Sequence, residues 1–377
     1  MWAISTERFG LSMSTIVLLF IAVLNITKIR FDKKTLIISG ILMVWMITIS
    51  LLSDVPESIW ILRIIRNTMM IFMIIVCSWL FGTQVYIRLF VKSIIVVTFI
   101  GCFYGIYQAI AVYYDLPYFL NIFSTNTSYH PRDLYEYYGG WIDIYRIYGV
   151  FDEPSFYAAF LILVSVILLH LKLNSLIKVA LWILIIINII STFSRLGYAC
   201  FAIVVMSYYI NSLNFIFMNK KLQYYIIGFL LISIPLIMPG ISYLLYHYDI
   251  FSDLSISGRT NSQLYYFEEA RLFGFGMGSI KAFSSNFAVI GDIEKFAHNA
   301  LASIAYEWGI VAISFYYYIM LSFLKNSKIP GISLCVVAAV SSLLSFGEFY
   351  NIESILIMFC LLTKYAKFME ENSNVIR

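Results

Sequence analysis

The residues with the widest chemical reach in this chain sit in a few short clusters. His298, followed by Asn299, stands where a polar stretch gives way to an apolar run. A neutral imidazole accepts a proton near pH 7, so this histidine suits a proton-transfer role. No other histidine or cysteine is spaced to share a metal with it, and a lone histidine is often purely structural. Arg195, in Ser194-Arg195-Leu196-Gly197, interrupts a long apolar stretch. An arginine at the centre of a membrane helix costs ~2.5–3.5 kcal/mol, and less near an end. It should face the bundle interior and bind an anion, or else snorkel to the surface. Arg259 and Arg271 offer planar guanidinium forks for a phosphate, or partners for Glu268 and Glu269 on a surface helix. Gly274-Phe275-Gly276-Met277-Gly278 has the GxGxG pattern, but no strand precedes it and a dinucleotide site is excluded. A glycine turn whose backbone N–H groups converge on a phosphate remains open.

Other groups carry weaker signals. Tyr118, Tyr129, Tyr135, Tyr137, Tyr138, Trp141, Tyr145 and Tyr148 crowd one segment. Their flat faces and polar tips suit sugar rings, and they equally suit an interfacial aromatic belt. The segment ends in Arg146-Ile147-Tyr148-Gly149-Val150-Phe151-Asp152-Glu153-Pro154-Ser155. Asp152 reads as an N-cap with Pro154 in the first turn, where the helix dipole keeps Glu153 ionised. Glu307 is expected to pair within the bundle. Arg63 and Arg66 lie one helical turn apart, and Glu348 and Glu353 are charge-matched candidates for them.

These residues must be positioned by membrane helices. Of the 377 residues, 61% are hydrophobic and 12% charged, about half the charge of a soluble domain. Apolar runs near 10–27, 35–52, 59–82, 92–114, 154–171, 176–193, 195–215, 223–246, 297–323, 331–346 and 350–366 predict an all-α transmembrane bundle of about eleven spans. It forms one integral membrane domain over 1–377, with no cleaved signal peptide. Two long loops, 115–153 and 247–296, connect spans on one side. The short connections on the other side, with the C-terminal tail from Lys364, hold 15 of the 25 Lys and Arg but three of the 21 Asp and Glu. That bias puts the short connections in the cytoplasm and both long loops outside. The five cysteines fall in apolar runs and read as small core residues. A net charge of +4 gives no footprint for nucleic acid. No loop has room for a nucleotide-binding domain and no GxxxxGK[ST] occurs, so an enzyme of this kind would need a substrate already activated at the membrane.

The order of these motifs resembles the O-antigen polymerase and O-antigen ligase superfamily of bacterial surface-polysaccharide enzymes. The resemblance runs over about 145–310. It rests on the aromatic loop ending Gly149-Val150-Phe151-Asp152-Glu153-Pro154-Ser155, then Phe193-Ser194-Arg195-Leu196-Gly197 and Gly258-Arg259. Gly274-Phe275-Gly276-Met277-Gly278, His298-Asn299 and Glu307-Trp308-Gly309-Ile310 complete it. It implies a GT-C-like glycosyltransferase in the bacterial cytoplasmic (inner) membrane, with its site facing the periplasm or outside. The donor would be an undecaprenyl-pyrophosphate-linked oligosaccharide, transferred onto the next lipid-linked repeat unit of an O-antigen or capsular polysaccharide. No cofactor or metal is implied, and a chain-length regulator is an implied partner. Carried over residue by residue, the pyrophosphate falls to Arg195, Arg259 and Arg271. Base catalysis falls to His298 with Glu153. Arg146, Tyr148 and Asn299 contact substrate.

Two other functions compete. The ligase branch would transfer finished glycan to a lipid A core. A lipid-linked oligosaccharide flippase usually has repeated halves and short loops, whereas no repeat is visible and two loops are long.

Overall fold

The fold comes from a computed structural model that describes residues 3–6, 9–12, 20, 33–80, 83–114, 116–117, 146–149, 151, 154–170, 174–213, 254–283, 299–315 and 318, with single positions at 222, 225, 229, 233, 237 and 240. Among them the chain is mostly helical. A short antiparallel hairpin, β1 (Ala3–Thr6) and β2 (Phe9–Ser12), comes first, with Thr6 opposite Phe9 and Ala3 opposite Ser12. The expected first span therefore gives its first residues to a strand. The β-branched Ile4 and Thr6 and the aromatic Phe9 favour that state. The helices are α1 (Lys33–Leu51), α2 (Glu57–Leu80), α3 (Gln84–Tyr113), α4 (Pro154–His170), α5 (Ser175–Ser191), α6 (Arg195–Leu213), α7 (Leu254–Glu268), α8 (Ser279–Phe283) and α9 (Ala300–Trp308).

Five of these, α1, α2, α4, α5 and α6, lie within two residues of the expected spans at both ends. The fourth span differs. Its helix begins at Gln84, so Arg88 and Lys92 ride on the first turns of α3 and not on a separate connection. Nothing from Gln84 to Tyr113 breaks a helix, and Thr83 just before it is extended at φ −109°. The ninth span differs more. It is helical over α9, stops at Gly309 and resumes over 310–315. The region expected as the second long loop contains α7 and α8, and both pack against α9.

Among the described residues, one helix, over Gln84–Ala111, is long and apolar enough to cross a membrane. Shorter apolar helices run Ser39–Leu51, Pro154–Leu169, Ser175–Ser191 and Gly197–Met206. The helix α3 packs on α5, and α4 on α5 and α6, around a core that includes Tyr157, Leu161, Ile185 and Cys200. Met277, Leu301 and Trp308 belong to the same core, so α9 is continuous with it. Tyr157 Oη lies 3.0 Å from Gly101 O and 2.9 Å from Asn188 Oδ1, which fixes α4 to both neighbours. On the opposite faces, Ile100, Phe103, Val179 and Ile190 are exposed, Ile100 by 64%. In water that much apolar surface would be costly, at ~25 cal/mol per Å².

Candidate active site

Two of the motifs meet at the ends of α5 and α6. Thr192 and Phe193 form the turn between them, and Phe193 adopts φ 45°. Ser194 Oγ accepts from Gly197 N at 3.1 Å and caps α6, whose first residue is Arg195. The segment 146–149 lies across this turn. Arg146 Nε donates to Thr192 O at 3.0 Å, and Ile147 N to Ser191 O at 3.1 Å. Tyr148 N and Gly149 N both donate to Gln108 Oε1 at 3.0 Å, and Gly149 (φ 57°) rests on the Tyr157 ring. A buried glutamine thus serves as the acceptor that a turn's N–H pair would otherwise lack. Its Nε2 is buried with no hydrogen-bond partner.

Two more motifs meet at the break in the expected ninth span. Stopping a helix leaves carbonyls at one end and N–H groups at the next start unsatisfied. The segment 271–276 fills both sets. Phe275 N donates to Tyr306 O at 2.9 Å and Gly276 N to Glu307 O at 3.1 Å. Ile310 N donates to Arg271 O at 3.1 Å and Val311 N to Leu272 O at 3.4 Å. Trp45 Nε1, from α1, takes Trp308 O at 2.9 Å. Gly274 (φ 77°) and Gly309 (φ 91°) face each other, and a Cβ on either would overlap the other's backbone. Met277 N then donates to Ser50 Oγ at 3.1 Å, and Gly278 rests on Ile59. The N–H groups of Gly274, Phe275, Gly276, Met277 and Ser279 are all used within the protein. Here the glycines allow close packing of one backbone on another.

A buried ion pair crosses the same region. Arg63 Nη2 of α2 lies 3.5 Å from Glu307 Oε1 of α9. The glutamate side chain is fully buried and the arginine side chain 11% exposed. Glu307 thus pairs within the bundle as expected. Its partner is Arg63, while Glu348 and Glu353 lie outside the described residues. The second carboxylate oxygen, Oε2, is buried without a hydrogen-bond partner. Around the pair, Tyr306 stacks on Phe275 at 4.5 Å between ring centroids and meets Tyr266 edge-on at 5.0 Å. Burial raises the Tyr266 hydroxyl, with smaller contributions from Tyr306, Tyr265 and Glu307. Burial, then Glu269, raises Tyr265. Both stay protonated at neutral pH.

The expected site residues fare as follows. Arg271 is exposed and lies 4.1 Å above the Phe275 ring. That cation–π contact replaces the expected pairing with Glu268 or Glu269, both of which are exposed. Asn299 is fully buried and caps α9, accepting from Leu301 N at 2.9 Å and Ala302 N at 3.2 Å. Its amide oxygen is committed to that cap. Tyr148 is likewise buried. Arg271 and Asn299 sit at opposite ends of α9, ~13 Å apart along its axis at 1.5 Å per residue. Arg195 begins α6 and Arg259 lies within α7; of both, the backbone alone is described. His298, Glu153 and the aromatic residues from Tyr118 to Tyr145 lie outside the described residues.

Sequence reasoning missed Gln108, the Gly309 break and the Arg63–Glu307 pairing. The first had a signal, a lone amide in an apolar run. The second had one too, a glycine directly after Glu307-Trp308, where helices commonly stop. Searched against protein families, curated proteins and solved structures, the chain matches none.

Proposed function

We propose that this chain is a multi-pass glycosyltransferase of the bacterial cytoplasmic membrane, a polymerase of O-antigen or capsular polysaccharide. The donor is a glycan on undecaprenyl pyrophosphate and the acceptor a sugar hydroxyl of the next lipid-linked repeat. One observation carries the reading. Segments that flank or contain the motifs behind the resemblance, scattered over about 160 residues, are joined by hydrogen bonds: Arg146 and Ile147 with Thr192 and Ser191, and residues 271–276 with 306–311. Exposed apolar faces on α3 and α5 support a lipid setting.

In this mechanism the acceptor oxygen attacks the anomeric carbon of the donor sugar. The bond from that carbon to pyrophosphate breaks, and undecaprenyl pyrophosphate leaves with the electron pair. Arg195, Arg259 and Arg271 stabilise the growing charge, while His298 takes the hydroxyl proton, oriented by Glu153. The test is polymerisation of a defined lipid-linked repeat by the purified full-length protein. Ladders of product support the proposal. Transfer only to an added lipid A core acceptor would assign the ligase reaction instead. No transfer to either would overturn it.

A further inference from the structure

We infer that Leu272, Phe273 and Ile310 seat the lipid end of the donor, the isoprene units next to the pyrophosphate that Arg271 grips. The inference deepens the proposed reaction and rests on that reading: the occupant is a polyprenyl pyrophosphate.

A polyprenyl pyrophosphate is an amphiphile, so its binder needs a cation beside an apolar surface. At the break in the expected ninth span the chain supplies both on consecutive residues. Arg271, Leu272 and Phe273 are all exposed, Leu272 by 54% and Phe273 by 58%. Ile310, also exposed, joins them because its N–H donates to Arg271 O. Val311 N donates to Leu272 O, so this non-helical stretch keeps both carbonyls paired and can face a lipid chain without stranding them. The surface is also held in place. The Phe273 ring lies against Trp45 at 5.6 Å between centroids, and Trp45 Nε1 is fixed on Trp308 O. Arg271 rests over the Phe275 ring, a contact that spends no N–H donor.

Two features separate this patch from ordinary lipid-facing surface. The exposed apolar face of α3 at Ile100 and Phe103 runs through residues 93–113, which hold no charged side chain. Such a face accepts any acyl chain and recognises no headgroup. At Arg271, in addition, exposed Glu268 and Glu269 stand within three residues and oppose an anion. The arginine alone is therefore a weak grip on a free pyrophosphate, and the neighbouring apolar side chains supply the rest of the affinity.

The experiment uses purified full-length protein in nanodiscs of zwitterionic lipid, with undecaprenyl pyrophosphate and inorganic pyrophosphate as separate probes. Partition of the lipid probe into the disc is the same for every variant, so differences between variants report the seat. Leu272→Ser and Ile310→Ser should each unfold at the wild-type temperature and bind undecaprenyl pyrophosphate ~10-fold more weakly, the loss of one buried apolar side chain. Both should bind inorganic pyrophosphate as the wild type does, whereas Arg271→Gln should weaken both probes. Wild-type affinity for undecaprenyl pyrophosphate in both serine variants would reduce the patch to ordinary lipid-facing surface and overturn the inference. So would an equal loss for inorganic pyrophosphate, which would place the effect in the fold of the turn. Anionic phosphatidylglycerol in the disc that abolishes the difference between wild type and variants would assign the patch to bulk lipid, again against the inference, as would a wild type that binds no undecaprenyl pyrophosphate. A wild type that shows the tail-dependent binding but transfers no sugar would sink the proposed reaction and leave the seat. Polymerisation by the wild type, with donor KM unchanged in both serine variants, would do the reverse.

Discussion

At the scale of single residues, the molecule places arginines where backbone turns hold them. Arg146 is anchored through Nε to Thr192 O. Arg195 starts the helix that this turn introduces. Arg195→Ala should abolish polymer formation with insertion intact, and Arg195→Lys should recover little, because lysine lacks the planar fork. Polymer from Arg195→Ala at the wild-type rate would remove this residue from the site. If His298 is the base, His298→Gln should slow turnover by ~10²–10⁴-fold. Wild-type activity should fall below about pH 6, as an imidazole of ordinary pKa takes up its proton. An unchanged acid limb in His298→Gln would point to another base, with Glu153 next in line. Gln108 is a purely structural counterpart. Gln108→Leu strands two buried N–H groups, at ~1–3 kcal/mol each. Thermal unfolding in detergent should register that loss, and Gln108→Glu, which keeps an acceptor, should lose less.

At the scale of elements, the break at Gly309 is the feature with most consequence. It lets one backbone lie across another, and two glycines make the approach possible. Gly309→Ala and Gly274→Ala should each destabilise by at least ~1–3 kcal/mol, the cost of forcing a side chain into a disfavoured backbone region. Because both relieve the same contact, the double variant should lose less than the two single losses added. Additive losses in unfolding experiments would mean that the glycines act separately. Asn299→Ala, which removes the cap of α9, should cost ~1 kcal/mol in the same assay. Legibility in the sequence follows from these physical differences. The helices α1, α2, α4, α5 and α6 were readable because each is an apolar run ended by lysines, a proline or a polar turn, signals that act locally. Gly309 hides inside an apolar run, where periodicity and hydropathy continue on both sides, and its helix stop is satisfied by residues more than thirty positions earlier. The glycine-rich segment misled for the converse reason. Its pattern announces unusual backbone angles, which are present at Gly274, Gly276 and Gly278, but not what those angles are for. Arg63 and Glu307 were both visible as buried charges. Their pairing, 244 positions apart, depends on how α2 and α9 pack.

At the scale of the whole molecule, the proposed reaction depends on which side of the membrane each connection faces. The contacts between the motif segments lie at helix ends. The segment 146–149 meets the turn between α5 and α6, and the glycine segment meets the turn between α1 and α2 through Ser50 and Ser53. In the proposed topology, the charge bias would put these turns outside and Asn174, the N-cap of α5, and Lys178 in the cytoplasm. On that topology both contacting turns would share one side of the membrane. Single cysteines at Ser128 and Ser285, in a background cleared of the five native cysteines, should therefore react with a membrane-impermeant thiol reagent in intact spheroplasts. A cysteine at Asn174 should react only after the membrane is opened. The native cysteines can be replaced by alanine or serine at modest cost, since Cys77, Cys102 and Cys200 are buried free thiols acting as small core residues. Labelling at Asn174 with protection at Ser128 and Ser285 would turn the site toward the cytoplasm. A lipid-linked donor displayed outside could not then reach Arg195, and the proposed transfer would fall with the topology.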